Sequence, residues 1–403
     1  MYIHNMLIQF TVDNYRSIGN TEYFSMIPDT KYKRHLIGEN TRFKLLPSAV
    51  FYGANASGKS NFLKAFAFMQ DIVLNRCKVN LSSDFLWHDP FLLSDETESS
   101  SSSFEIIFVV NDVKYRYGFD ADQKNVYSEW LFADSKGQEA KLFFRDAATN
   151  TFYVNPEKFK EGKNLKCLNN WLFLWKCNQE DGPISKEIIN WFFNVNFLDG
   201  MHPSSYTNYT KWKMKNPAYR SLIEKNICRA DLSIKQLELE FKKELGDRIK
   251  SMHNKFNSDG KQIGTTFFDL ENQESLGTQK FLFVLSPIID TLENGRILII
   301  DEFDASLHPL ISAELVKMFN DPQINKNNAQ LIFTSHDTNL LGMDIFDYCQ
   351  IWFAEKDNIE QTHIKSLSSY LGVNKRKKID EQYLKGIFGA IPNIINFSSE
   401  LQG

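Results

Sequence analysis

An α/β fold is predicted from three stretches. The first is Gly53-x-x-x-x-Gly58-Lys59-Ser60, preceded by the apolar, strand-like residues 48–52 and followed by the helix-compatible residues 61–69. The second is the apolar run 296–300, which ends in the acids Asp301 and Glu302. The third is the run 330–333, which ends in Thr334-Ser335-His336. Strand, glycine-rich loop and helix in that order are the context a phosphate-binding loop requires.

Length and composition bound the remainder. The 403 residues suffice for two or three domains, or for one with a large insertion. The net charge of −4 gives no general nucleic-acid footprint, so any such contact is expected as a local patch. Five cysteines, an odd number without Cys-x-x-Cys spacing, suggest buried reduced thiols. Neither a signal-peptide pattern nor an apolar run of membrane-spanning length is present, and the expected location is the cytoplasm, with no membrane contact.

Residues 7–12 alternate apolar and polar, predicting a half-buried first strand with 20–27 as its hairpin partner. The basic stretch 28–40 (Lys31, Lys33, Arg34, His35) reads as an exposed loop near the phosphate loop. The serine-rich, acidic residues 94–103 read as a solvated loop. Aromatic and β-branched runs at 104–110, 113–119, 127–132 and 141–144, separated by turn residues, predict an antiparallel meander. From about 156 to 259 the spacing of Trp171, Leu174, Ile188, Trp191 and Phe192, and then of Ile223, Ile227, Leu232, Ile234, Leu237, Leu245 and Ile249, reads as a compact helical insertion without sustained heptads. The expected organisation is an N-terminal lobe at 1–155, the insertion at 156–260 and a C-terminal lobe at 261–403.

The chemistry follows from residue type. Gly53 and Gly58 let the loop's N–H groups point inward, and the dipole of the next helix adds positive potential at the same point. Lys59 is placed to reach phosphates, and the Ser60 hydroxyl to ligate Mg2+. Asp301 supports the metal, and Glu302 polarises the attacking water as general base. Ser275 and Gly277 open a helix whose N–H groups make a second anion site. Gln70 reads as helix surface.

The order of these motifs, with Leu307-His308-Pro309 between the second and third stretches, resembles the ABC-type ATPase head, more narrowly its RecF, SMC and OLD branch. Ile8-x-Phe10-x-Val12-x-Asn14-Tyr15-Arg16-Ser17 is similar to that branch's first strand, whose Asn-x-Arg lies near the nucleotide. The turn at 302–309 resembles its DEPE-x-x-LHP turn, with Asp304 where Glu is commoner. The resemblance covers roughly residues 1–150 and 262–400. It implies an ABC-type P-loop NTPase head with an antiparallel β subdomain and a helical insertion. It implies ATP and Mg2+ as ligands, held by Gly53, Asn55, Gly58, Lys59, Ser60, Asn61, Asn14, Arg16 and Asp301. Lys59, Glu302 and the γ-phosphate switch His336 carry the hydrolysis. Ser275 and Gly277 complete the site of a second copy, in a head-to-tail dimer or higher oligomer.

The lack of a long coiled coil argues against SMC proteins, and the hundred or so residues after Glu302 leave no room for the nuclease of OLD proteins. What remains resembles stand-alone ATPases of bacterial abortive-infection and anti-phage systems such as PARIS, Septu and RloA-like systems. The tail Tyr383-Leu384-x-Gly386-x-x-Gly389-x-x-Pro392 resembles the ending of that group. The resemblance implies a sensor ATPase that controls a separately encoded nuclease or toxin. The alternative is a RecF-like clamp that uses ATP to lock a dimer on DNA. The basic run 374–378 is a candidate contact for nucleic acid or an acidic partner, or else a solvated surface.

Overall fold

Ser48-Ala49-Val50-Phe51-Tyr52 is apolar throughout because its strand is covered on both faces, as strands of parallel sheets are. The computed structural model describes residues 5–30, 34–39, 41–77, 88–202, 204–231, 233–241, 246–370, 373 and 378–391. In chain order the structure opens with β1 (Met6–Asp13), β2 (Glu22–Ser25), β3 (Ser48–Tyr52), α1 (Lys59–Val73) and the short α2 (Asp95–Glu98). The strands β4 (Ser102–Val110), β5 (Val113–Ala121), β6 (Val126–Asp134), β7 (Ala140–Asp146) and β8 (Thr151–Val154) follow. Next come α3 (Phe173–Gln179), α4 (Pro183–Phe193), β9 (Val195–Asp199), α5 (Ser204–Met214) and α6 (Pro217–Ala230). Then come β10 (Ile234–Glu240), β11 (Arg248–Phe256), β12 (Gln262–Asp269), α7 (Leu270–Gln273) and α8 (Leu276–Asn294). The chain continues through β13 (Ile297–Asp301), α9 (Pro309–Asn320), β14 (Gln330–Thr334), α10 (Thr338–Gly342), β15 (Ile351–Lys356), β16 (Thr362–Ser366) and α11 (Ile379–Leu384).

Three sheets result. The central one runs β16-β15-β3-β14-β13-β9, parallel except for β16. An antiparallel sheet runs β2-β1-β4-β5-β6-β7-β8, which gives the expected hairpin and meander with β8 added. A small antiparallel sheet runs β10-β11-β12. Alternate residues of the central strands enter different cores. Ala49, Phe51, Ile299 and Ile332 face α1 and the large antiparallel sheet, whereas Val50, Tyr52, Ile300 and Phe333 face α8 and α9. Helix α1 is therefore held between two sheets. Phe10 of β1 stacks on Phe66 at 4.8 Å, and Phe62 meets Phe51 of β3 at 5.5 Å. Fully burying each such ring contributes about 1.5–3 kcal/mol.

Four expectations are corrected. The stretch 156–260 is not a helical insertion throughout. Its helices end at Ala230, and β9 within it is an edge strand of the central sheet, registered Asp199 against Asp301. Leu237 and Leu239, alternating with Gln236, Glu238 and Glu240, carry a strand period of two, and both are buried while Glu238 is exposed. Leu232 and Leu245 lie outside the described residues. The described residues 34–39 of the predicted loop sit where the parallel strands begin, opposite the phosphate loop. There Gly38 N–H donates to Asn328 Oδ1 at 2.9 Å, and Arg34 pairs with Asp344 at 2.6 Å. Lys31 and Lys33 lie outside the described residues. The loop at 94–103 contains the turn of α2, and its last two residues begin β4. Gln70 is buried rather than at the surface. Its Nε2 donates to Phe192 O at 2.5 Å and Val195 O at 2.8 Å, capping the junction of α4 and β9.

None of the five cysteines forms a disulfide: Cys77, Cys177 and Cys349 are buried, Cys167 and Cys228 half-buried. Among the described residues no helix is long and apolar enough to cross a membrane. The tail folds back under β3, where Tyr383 stacks on Phe353 at 5.4 Å and lies 5.9 Å from Tyr52. Pro392 and residues 374–377 of the basic run lie outside the described residues.

Candidate active site

The chain leaves β3 at Tyr52, curls through Gly53–Gly58 and enters α1 at Lys59, so the loop crowns the N-terminus of a 15-residue helix. Gly58 has φ 99°, and a Cβ there would overlap the Thr362 hydroxyl. Only glycine satisfies both demands without strain. Lys59 turns its ammonium back over the loop, 2.7 Å from Gly53 O and 3.0 Å from Ala54 O. Burial draws that ammonium down to about 8, while the carboxylates of Glu302, Asp301 and Asp304 pull upward. The Ser57 hydroxyl is buried within the loop and, among the described residues, has no hydrogen-bond partner.

Parallel pairing brings the other motifs to the same end of the sheet. The Ser60 hydroxyl donates to Asp301 Oδ1 at 2.9 Å. The Thr334 hydroxyl donates to the same oxygen at 2.7 Å and accepts the Glu302 N–H at 2.7 Å. Glu302 itself stands in the left-handed region, with φ 55°. That conformation costs about 1–3 kcal/mol and persists only where neighbours fix it. His336 Nε2 lies 3.4 Å from Glu302 Oε1, and the His336 N–H donates to Asp304 Oδ2 at 3.2 Å. The second Asp304 oxygen is buried and has no hydrogen-bond partner among the described residues. His308 caps α9, accepting the Leu310 N–H with Pro309 at the first helical position.

One cleft of about 750 Å3 is lined by Asn55, Gly58, Lys59, Ser60, Asn61, Glu302 and His336, together with Met201 and Lys356. Gly53 and Asp301 join it indirectly, through Lys59 and Ser60. A second cavity of about 360 Å3 adjoins it, sharing Asn61 and Lys356, and Arg16 and His88 line that one. Arg16 is paired there with Asp89 at 2.9 Å.

Asn14, Ser275 and Gly277, also expected at the site, line neither cavity. Asn14 is buried, and its amide is occupied. Nδ2 is 2.9 Å from Thr97 O, 3.1 Å from Ser100 O and 3.2 Å from Ser101 O, and Oδ1 accepts the Phe91 N–H. It fixes the wall of the second cavity. Ser275 and Gly277 stand at the start of α8, where the Ser275 hydroxyl accepts the Thr278 N–H, and neither lines the cleft of its own chain.

Sequence reasoning missed the roles of Thr334 and Lys280. A polar residue closing the apolar run 330–333 was the available signal for Thr334. Lys280 follows Gln279 in a helix start and carries no signal of its own.

The donors suit a nucleoside triphosphate. A buried orphan hydroxyl, an ammonium hydrogen-bonded to two backbone carbonyls and a helix N-terminus suit an anion. Ser60 and Asp301 supply hard oxygen donors appropriate to Mg2+.

An α/β fold with these groups at the strand ends defines a P-loop ATPase-type domain. The chain belongs to the family described as "AAA domain, putative AbiEii toxin, Type IV TA system", whose model matches residues 48–164 and 169–342. No curated protein matches the sequence. Among solved structures the chain is similar to the SMC head domain from Thermotoga maritima, at 12% identity and TM-score 0.43, covering 89% of this chain and 98% of that one. It is also similar to the Smc head domain with an extended coiled coil bound to the C-terminal domain of ScpA from Pyrococcus furiosus. That likeness has 13% identity and TM-score 0.40, covering 96% of this chain and 99% of that one.

Proposed function

We propose that the chain hydrolyses ATP as the regulatory or sensor subunit of a bacterial abortive-infection complex, controlling a separately encoded nuclease or toxin. The observation that carries the enzymatic part is the meeting of Ser60, Asp301, Glu302, Thr334 and His336 at one cleft. The defence setting draws support from the family's type IV toxin–antitoxin description.

In this reading the loop N–H groups and Lys59 hold the phosphates, and the nucleoside extends into the second cavity past Asn61 toward Arg16. Ser60 and Asp301 hold Mg2+, which neutralises charge on the phosphates when bound. Glu302 accepts a proton from the attacking water, and His336, beside it, reports the γ-phosphate. Leu276, at the start of α8, is 71% exposed, consistent with a second copy docking there so that Ser275 and Gly277 face its nucleotide. The whole would act in the cytoplasm, as a dimer or a larger ring.

The test is the mass of the purified protein with ATP and magnesium, wild type against Glu302→Gln, with and without the neighbouring gene product. An assembly that retains the neighbour and changes on turnover supports the proposal. A dimer indifferent to the neighbour but gripping DNA in a salt-sensitive way would replace it with the clamp.

A further inference from the structure

Lys280 is a buried cation to which the reading above gives no task. It stands on α8 five residues past Ser275, is 2% exposed, and places Nζ 2.9 Å from the Glu302 carbonyl oxygen. Among the described residues no carboxylate forms an ion pair with it, although Asp304, Glu302 and Asp199 are near enough to act on it. Burying an ammonium costs more than one bond to a neutral carbonyl returns, so stability alone does not account for the placement.

Its partner explains more. Glu302 is left-handed, and its backbone is held on both sides, the N–H by Thr334 Oγ1 and the C=O by Lys280. The two bonds together fix the peptide planes flanking Glu302, and so the direction in which its carboxylate leaves the chain. Gly277, three residues before Lys280, lies on the same face of α8, where a Cβ would stand 2.9 Å from Ser306 O. The first turn of α8 thus lies along the loop 302–306 with one side and presents Ser275 and Leu276 to solvent with the other.

We propose that Lys280 is a positioning residue that orients Glu302 and ties it to the outer turn of α8. Contact made at Ser275 is then felt at the glutamate of the same chain. A second copy's nucleotide on α8 would thereby license hydrolysis in the first copy's own cleft. This rests on the assignment of Glu302 as base.

The test uses the full chain with Lys280→Met, which keeps the side-chain volume, and Lys280→Arg, which keeps the charge. ATP turnover, nucleotide affinity and amide hydrogen exchange are compared with wild type. Lys280→Met is expected to lower kcat at least about tenfold, with affinity held within about twofold. Exchange should rise at Phe303 and Ala305 but not in β13 or β14, and Lys280→Arg should restore protection there. Unchanged kcat and exchange in Lys280→Met overturn the proposal. So does affinity lost in step with kcat, or exchange rising across the central sheet, since Lys280 would then be a plain structural post. Absence of turnover in the wild type would defeat the assignment of Glu302, and the exchange comparison would still decide the role of Lys280.

Discussion

Ser60, from the phosphate loop, and Asp301, 241 positions later at the end of β13, meet at 2.9 Å through one hydroxyl and one carboxylate oxygen. Neither residue has reason to approach the other except through the parallel sheet, in which β14 lies between their strands. Under the proposed function the pair is where a divalent cation would be held. Ser60→Ala and Asp301→Asn should each lower the affinity for magnesium-ATP about 10–100-fold and leave magnesium-free ATP binding nearly unchanged. Titration of a fluorescent nucleotide with magnesium and with EDTA distinguishes these cases. An equal loss in both would mean the pair only shapes the loop.

Glu302→Gln keeps the shape of the site and removes the proposed proton acceptor. Phosphate release should fall about 10²–10⁴-fold while nucleotide affinity stays near that of wild type. His336→Ala should show the same separation with a smaller fall. A parallel loss of binding in the glutamine variant would count against a role confined to the chemical step.

Thr334→Val replaces a buried hydroxyl by a methyl of similar size. The Glu302 N–H then loses its acceptor and Asp301 one donor, at a cost of about 1–3 kcal/mol. Urea denaturation should show that loss, with turnover falling as well. A variant as stable as wild type would mean that another group satisfies the Glu302 N–H.

Glu129 is fully buried in the large antiparallel sheet. It accepts from Tyr117 Oη, Arg145 Nε and the N–H groups of Phe173 and Leu174 at the start of α3. Glu129→Gln leaves Arg145 without its counter-charge and should destabilise the protein by about 3 kcal/mol. ATP affinity measured well below the melting temperature should not change, because neither cavity is lined by this group.

Lys280 also carries a pH signature. Burial lowers its ammonium from 10.5 to about 8, so between those values the unfolded chain binds the proton and the folded chain does not. Stability contributed at this position therefore rises as pH increases from about 8 to 10.5. The stability of wild type relative to Lys280→Met should improve across that window by at most about 3 kcal/mol. Denaturation curves of the two proteins at pH 7 and pH 10 measure the difference, and a flat difference would place the lysine in a wetter setting.

The sequence was most readable where geometry follows from a local rule. Gly58-Lys59-Ser60 had to begin a helix, and the apolar run before Asp301 had to be a buried strand, so the loop and the acids were placed correctly. The runs from 104 to 144 alternate visibly, and the meander followed from them. The misses share a different cause. Leu237 and Leu239 are spaced two apart, but a neighbouring helix at 217–230 lent its own period to the window. Gln70 looked like helix surface because nothing local announces that the end of α4 will cover it. Asn14 was expected near the nucleotide, and its amide is engaged by the backbone of the loop at 91–101, which its residue type alone does not announce. Lys280 and Thr334 act through backbone atoms of a distant residue, which residue types alone do not reveal.

The position of β3 in its sheet has a bearing on biogenesis. Both of its neighbours, β14 and β15, are synthesised roughly 280 to 300 residues after it. At ribosomal speeds of about 5–20 residues per second, the nascent phosphate loop waits on the order of tens of seconds for the strands that make it a binding site. A truncated product ending before β14 would carry the whole loop motif and yet have no grip on a nucleotide. The chain's competence to act is thus acquired only once β14 and β15 have been made.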